Sequence, residues 1–260
     1  MKELVNNVCR RFGFEIVRHR PVVESKRTGA LTCFDTATGR YYLPSDAPGD
    51  IIARAIKADR VFDRAILDVA RDYIKPDTAV LDLGANFGQM SILFSNLVGE
   101  HGKVYAFDAD DFVFDILKKN IDANNRKERI VPVFGAVHDV PGQTLYFPVQ
   151  DFARFPTYGS YGIDYNANTG REVPTITIDS MDITHPISFM KIDVQGGDLL
   201  AMKGARQTIQ RHQMPIVFEY DFEYEEEYNL SFQEYVDFVR DIGYRFAKVI
   251  DGYNYFIVPG

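Results

Sequence analysis

The sequence predicts an α/β protein: a mostly parallel sheet with helices on both faces and a C-terminal antiparallel hairpin. Three observations lead there. From residue 78 onward, short apolar runs alternate with stretches whose apolar residues recur at helical spacing, the pattern of parallel strands joined by crossover helices. A glycine-bearing turn, Asp82-Leu83-Gly84-Ala85-Asn86-Phe87-Gly88, falls where the first of these strands gives way to a helix. Near the end, Asp251-Gly252 separates two apolar segments, a hairpin signal.

In chain order, residues 1–75 read as a helical and irregular extension, and residues 76–260 as the sheet-bearing domain. Residues 4–12 have the spacing of a short helix, and Arg10, Arg11, Arg18, His19 and Arg20 make this end basic. That is either a solvated face or a contact with an acidic lipid or anionic glycan. Residues 51–74 carry apolar side chains at helical spacing until Pro76 closes the stretch. Strands follow at 79–83, 103–107 and 130–137, with helices at 89–97 and 112–121 between them. Later come a strand at 188–193, a helix at 198–210, a strand at 215–219 and a helix at 232–242. The hairpin, 244–250 with 254–258, is expected to add antiparallel strands at the sheet edge. One segment, 143–178, breaks this rhythm. It holds an alternating strand with Leu145 and Phe147, then a loop over 152–169 rich in Tyr, Gly and Asn. Long loops in compact domains are often lids. Phe152, Phe155, Tyr158, Tyr161 and Tyr165 argue against solvated disorder, so this loop is expected to face a substrate.

Composition narrows the function. The chain has 260 residues, 46% hydrophobic and 25% charged, which suits a soluble globular protein with its own core. Its two cysteines, Cys9 and Cys33, form neither a disulfide framework nor a metal-ligand spacing. With no signal-peptide core, this points to a reducing, cytoplasmic setting. No apolar run reaches the length of a membrane span. The net charge of −8 argues against nucleic acid as the main partner.

The turn at 82–88 carries the chemistry. Gly84 and Gly88 permit a tight turn and a close approach of backbone to a ligand. The helix start beyond offers unpaired N–H groups to a carboxylate. Ala85 and Asn86 lie between the two glycines, and Asp82 can hold the loop or meet a ligand ammonium. Asp108 ends the second strand about 20 residues beyond Gly88, the place of a ribose hydroxyl acceptor. The loop is neither the Gly-x-Gly-x-x-Gly of a dinucleotide site nor a phosphate loop. An amino-acid-tailed nucleoside therefore fits better than a pyrophosphate, and S-adenosylmethionine is such a molecule. Ala136 and Val137, after Gly135, either line its adenine or pack in the core.

The run from Val80 to Gly88, Leu117-Lys118-Lys119-Asn120-Ile121 followed by Asn124, and Lys191-Ile192-Asp193-Val194-Gln195-Gly196 give the chain a family likeness. In these motifs, and in Thr177-Ile178-Asp179-Ser180 and Gly204-Ala205, it resembles the FkbM family of methyltransferases. The resemblance implies a Rossmann-like sheet and methyl transfer from S-adenosylmethionine to a hydroxyl, often on a sugar or secondary metabolite. There are departures. Asp108-Ala109 stands where the family has Glu-Pro, Gln195 where it has Glu, and Asp198 where a further Glu follows.

Methyl transfer to oxygen needs alignment and a base for the hydroxyl proton. Strand ends on the ligand side offer Asp193 and Glu219, and His138 follows another strand. Asp193 could instead pair with Lys191, which shares its sheet face. Two carboxylates could also hold a Mg²⁺ ion. The rivals are a cofactor-binding protein of the same fold with impaired catalysis, for which Gln195 speaks, and a nucleotide-dependent oxidoreductase, against which the missing third glycine counts.

Overall fold

The computed structural model describes residues 29–148, 150, 156–165, 167–222 and 230–260. The basic stretch and the helix expected over 4–12 lie outside them, as do Phe152 and Phe155. A hairpin of β1 (Leu31–Thr36) and β2 (Gly39–Pro44) precedes helices α1 (Ile51–Lys57) and α2 (Arg64–Tyr73). Then β3 (Ala79–Leu83), α3 (Gln89–Leu97), β4 (Lys103–Asp108), α4 (Asp111–Ala123) and β5 (Ile130–Phe134) alternate. Three short strands follow: β6 (Ala136–Val137), β7 (Thr144–Phe147) and β8 (Arg171–Ile176). Alternation resumes with β9 (Ile187–Ile192), α5 (Asp198–Lys203), α6 (Arg206–His212), β10 (Ile216–Glu219) and α7 (Phe232–Asp241), and ends in β11 (Tyr244–Val249) and β12 (Asn254–Pro259).

The main sheet has seven strands in the order β11-β12-β10-β9-β3-β4-β5. The pairs β3–β4, β4–β5, β3–β9 and β9–β10 are parallel. β3 and β9 are buried along their whole length, as strands covered on both faces must be. Successive residues feed opposite cores: Val80 and Phe189 pack with the α1 to α4 side, Leu81 and Met190 with the α5 to α7 side.

The terminal hairpin forms one edge of the sheet, as expected, with β11 outermost. β12 runs antiparallel to both β10 and β11 and lies between them, so β11 runs with the parallel set. The residues explain this placement. Phe256 and Ile257 of β12 are buried on opposite faces, which suits an interior strand. β11 exposes Arg245 and Lys248, side chains that protect an edge.

Three expected elements are broken. Asp59 and Asp63, at φ +55° and +54°, split the stretch 51–74 into α1 and α2. Gly135, at φ +149°, ends β5, and Ala136–Val137 leave the main sheet to pair with β8. The helix expected over 198–210 divides at Gly204, where a Cβ would lie 1.9 Å from the His138 carbonyl oxygen.

Strands β1, β2 and β8 were not apparent from periodicity. β2 is held by two side-chain amides, that of Asn120 in α4 and that of Asn124 just after it. Asn120 Oδ1 accepts from Tyr42 N at 2.6 Å and its Nδ2 donates to Tyr42 O at 3.2 Å. Asn124 treats Arg40 in the same way, at 2.9 and 2.7 Å. Asn120 Nδ2 also donates to Phe87 O at 2.9 Å, tying the hairpin to the turn after β3. β8 joins β6 and β7 in a small separate sheet. Its buried Arg171 bonds both oxygens of Asp110 at 3.1 Å, fastening that sheet to the start of α4. Among the described residues no helix is long and apolar enough to cross a membrane.

Candidate active site

The turn after β3 is built by left-handed residues: Gly84 at φ +80°, Asn86 at +50° and Gly88 at +85°. The glycines make the tight turn expected of them, and they have a second job. A Cβ on Gly84 would lie 1.8 Å from the Asp193 carbonyl oxygen, and one on Gly88 would lie 2.6 Å from Leu117 Cδ1. They admit neighbouring protein. Gly84 brings the ends of β3 and β9 into contact and still lines the cavity. The N–H groups of Gly84 and Ala85 donate to Phe107 O at 3.0 and 2.8 Å. Asn86 N donates to Asp108 Oδ2 and Asp110 N to Asp108 Oδ1, both at 2.9 Å. Asp108 thus fixes the turns after β3 and β4. Burial, then the charge of Asp110, pushes its carboxyl up to about 7.

A cavity of 560 Å³ opens at the carboxyl ends of the central strands, where ligands of open α/β sheets bind. Gly84, Asn86, Asp108, Ala136 and Val137 line it, and so do Asp193 and Glu219. Residues 157–163 and Tyr165 complete the wall, within the loop expected to face a substrate. That segment is latched to the first helix. Asp50, fully buried, caps α1 through Ala53 N at 2.6 Å, while its other oxygen accepts from Thr157 Oγ1 at 3.0 Å and Tyr158 N at 2.8 Å.

Four predicted site residues do not reach the cavity wall. Ala85 is buried in the core, and Gly88 caps α3. Asp82 is fully buried, accepting from Ser91 Oγ at 2.5 Å. Burial raises its carboxyl, opposed by Lys191 and Ser91. Asp82 therefore holds the loop from behind. His138 is buried with Nδ1 2.8 Å from Asp139 Oδ1, its ring against Tyr165. Burial lowers its pKa, with Asp139 opposing. The chain leaves the cavity wall after Val137, where His138 N donates to Ile176 O at 2.9 Å along β8.

The far end of the cavity is acidic. Buried Lys191 places Nζ 3.3 Å from Asp193 Oδ2, 3.3 Å from Gly84 O and 3.8 Å from Asp82 Oδ1. Burial works against its charge, but Asp193 and Asp82 hold its pKa above the ordinary value. Gln195 Nε2 donates to Asp193 Oδ1 at 2.9 Å and to Glu219 Oε2 at 2.8 Å. Asp198, fully buried, accepts from Val194 N at 3.3 Å and Glu219 N at 3.0 Å, joining the two strand ends. Burial, then Asp193 and Asp198, push Glu219 up to about 10. Asp63, at the head of α2, also lines the cavity and is pushed up to about 7 by burial and then Asp193. Sequence reasoning missed Asp63. An Asp before a helical run signals a helix start, but the stretch read as one continuous helix. Among the described residues no three His, Cys, Asp or Glu side chains are grouped as ligands for a metal ion.

This strand order, with one reversed strand next to the last and a cavity at the ends of the central strands, is the sheet of the Rossmann-like class I methyltransferases. The family model of the methyltransferase FkbM domain matches residues 82–246, well over half of the chain, and the chain belongs to that family. Solved structures resembling it include the FkbM methyltransferase of Methylobacillus flagellatus, at 14% identity and TM-score 0.45 over 79% of this chain. The match covers 59% of that protein, so this chain spans less than two thirds of its length. A SAM-dependent methyltransferase of Aquifex aeolicus aligns at 16% identity and TM-score 0.41, over 79% of this chain and 95% of the other. M. jannaschii TYW2 in complex with AdoMet aligns at 13% identity and TM-score 0.41, over 89% and 85%. No curated protein sequence matches the chain.

Proposed function

We propose that the protein methylates a hydroxyl of a small molecule or glycan, with S-adenosylmethionine as methyl donor. One observation carries this reading: a single cavity joins the Gly84–Asn86 turn and Asp108 to the carboxylate pair Asp193 and Glu219. The residues suit the cofactor. Asp108 would hold the ribose hydroxyls, the turn the methionine end, and Ala136 with Val137 the adenine. Asp63, Asp108 and Asp193 face a cavity whose neighbouring cation, Lys191, is already held by Asp82 and Asp193, so a cationic ligand would relieve their repulsion. When bound, S-adenosylmethionine supplies an electrophilic methyl on a sulfonium.

The rest falls to the chain. Asp193 accepts the acceptor's hydroxyl proton, held in place by Lys191 and Gln195. It is preferred to His138, which does not line the cavity. Residues 157–165 exclude water and orient the acceptor, and the extension takes part through Ile51, Ile52 and Asp63. No role is assigned to Mg²⁺. The test is transfer of labelled methyl from S-adenosylmethionine to a panel of hydroxylated sugars and glycosides. Label should appear on a hydroxyl oxygen. Label on nitrogen or carbon, or none while the cofactor binds, would refute the assignment.

A further inference from the structure

Gln195 has a left-handed backbone, φ +51°, followed by Gly196 at φ +87°. The turn carries its amide between the ends of β9 and β10, where Nε2 reaches Asp193 Oδ1 at 2.9 Å and Glu219 Oε2 at 2.8 Å. An amide nitrogen has two hydrogens to donate, and each is directed at a different carboxyl. Two carboxyls held by one nitrogen in a confined site do not both ionise readily. Lys191 breaks the symmetry, since its ion pairs run to Asp193 and Asp82. The proton therefore settles on Glu219. Among the described residues, the other groups around the pair are acidic or neutral: Asp198 of α5, Asp63 at the head of α2, Asp221 after β10, Asp251 in the β11–β12 turn, and the hydroxyl of Tyr165.

We propose that Gln195 is a positioning residue whose amide clamps Asp193 and Glu219 into a pair that holds one proton between them. The inference rests on the proposed role of Asp193 in methyl transfer, but the pair can be read without an acceptor. Burial and the neighbouring acids act in the same direction on Glu219. A carboxylate at position 195 would add a third negative group, and an apolar side chain would remove both donors. Either change makes charge on the pair harder to hold.

The experiment is infrared spectroscopy of the ligand-free full chain between pH 7 and 11, subtracting Glu219→Gln. The difference should contain one protonated-carboxyl band at pH 8. In Gln195→Glu and in Gln195→Leu that band should persist about one pH unit or more higher. A packing role alone would lower the melting temperature and leave the titration in place. Absence of the band at pH 8, or an unmoved titration in both variants, overturns the proposal. The near-isosteric Glu variant and the apolar Leu variant each suffice if the other fails to fold. Failure of the methyl-transfer reading looks different: the band is present, but wild-type protein moves no label.

Discussion

Asp108 joins local structure to ligand chemistry in one carboxylate. Its two oxygens accept backbone N–H groups from the turns after β3 and β4, yet it still faces the cavity. Because its pKa is pushed up to about 7, the folded, ligand-free chain holds a proton there that the unfolded chain has lost. The sign follows: this group's contribution to stability falls as pH rises from about 4 through 7. A cation in the cavity favours the ionised form, so affinity runs the other way. S-adenosylhomocysteine, which keeps the ribose and the ammonium, should bind about tenfold more tightly at pH 8 than at pH 6, since only the ionised fraction is competent. Asp108→Asn should flatten that dependence in a calorimetric titration. Asp193→Asn should lower turnover roughly a hundredfold or more while S-adenosylhomocysteine affinity stays within about threefold. Normal turnover with a lower melting temperature would make Asp193 structural.

At the scale of elements, side chains connect pieces that the sheet alone does not. Asn120 bonds both backbone groups of Tyr42 and the Phe87 carbonyl, so Asn120→Ala orphans three backbone groups in a part-buried place. The loss should be on the order of 3 kcal/mol in urea denaturation, and S-adenosylhomocysteine affinity should fall with it because Phe87 belongs to the proposed cofactor turn. An unchanged denaturation midpoint would show that the hairpin needs no clamp. Asp50→Ala tests the latch on the cavity wall. Its loss of the helix cap should cost about 1 kcal/mol, and release of residues 157–158 should raise the acceptor KM while cofactor affinity holds. These connections also mark what the sequence could not reveal. The strands β3, β4, β9 and β10 show in the sequence because they are apolar on both faces. β8 does not, because Pro174 and the buried Arg171 interrupt its alternation and its partners are remote in sequence. β1 and β2 do not, because amides on a later helix hold them.

Across the whole molecule, the candidate site is legible where it coincides with strand ends. Gly84, Asn86, Asp108, Asp193 and Glu219 could be placed in this way, and all line the cavity. Legibility stops where the chain departs from the regular alternation. Asp63 reaches the cavity only because a left-handed residue breaks a helix. His138 misses it because the chain past Val137 follows β8 away from the cavity wall. The Lys191–Asp193 pair is legible from their spacing on one strand face, but the reach of Lys191 to Asp82 and the Gly84 carbonyl on a neighbouring strand has no signature in local spacing. In the proposed function one ligand, S-adenosylmethionine, is held between the turn after β3 and Asp108. Calorimetric titration of the full chain with S-adenosylhomocysteine, beside NAD and the Asp108→Ala variant, tests it most directly. Wild-type protein should bind S-adenosylhomocysteine one-to-one, Asp108→Ala should bind at least tenfold more weakly because a charged hydrogen-bond acceptor worth about 1.5–3 kcal/mol is lost, and NAD should give no heat. No binding of S-adenosylhomocysteine, or equal affinity in Asp108→Ala, would contradict it.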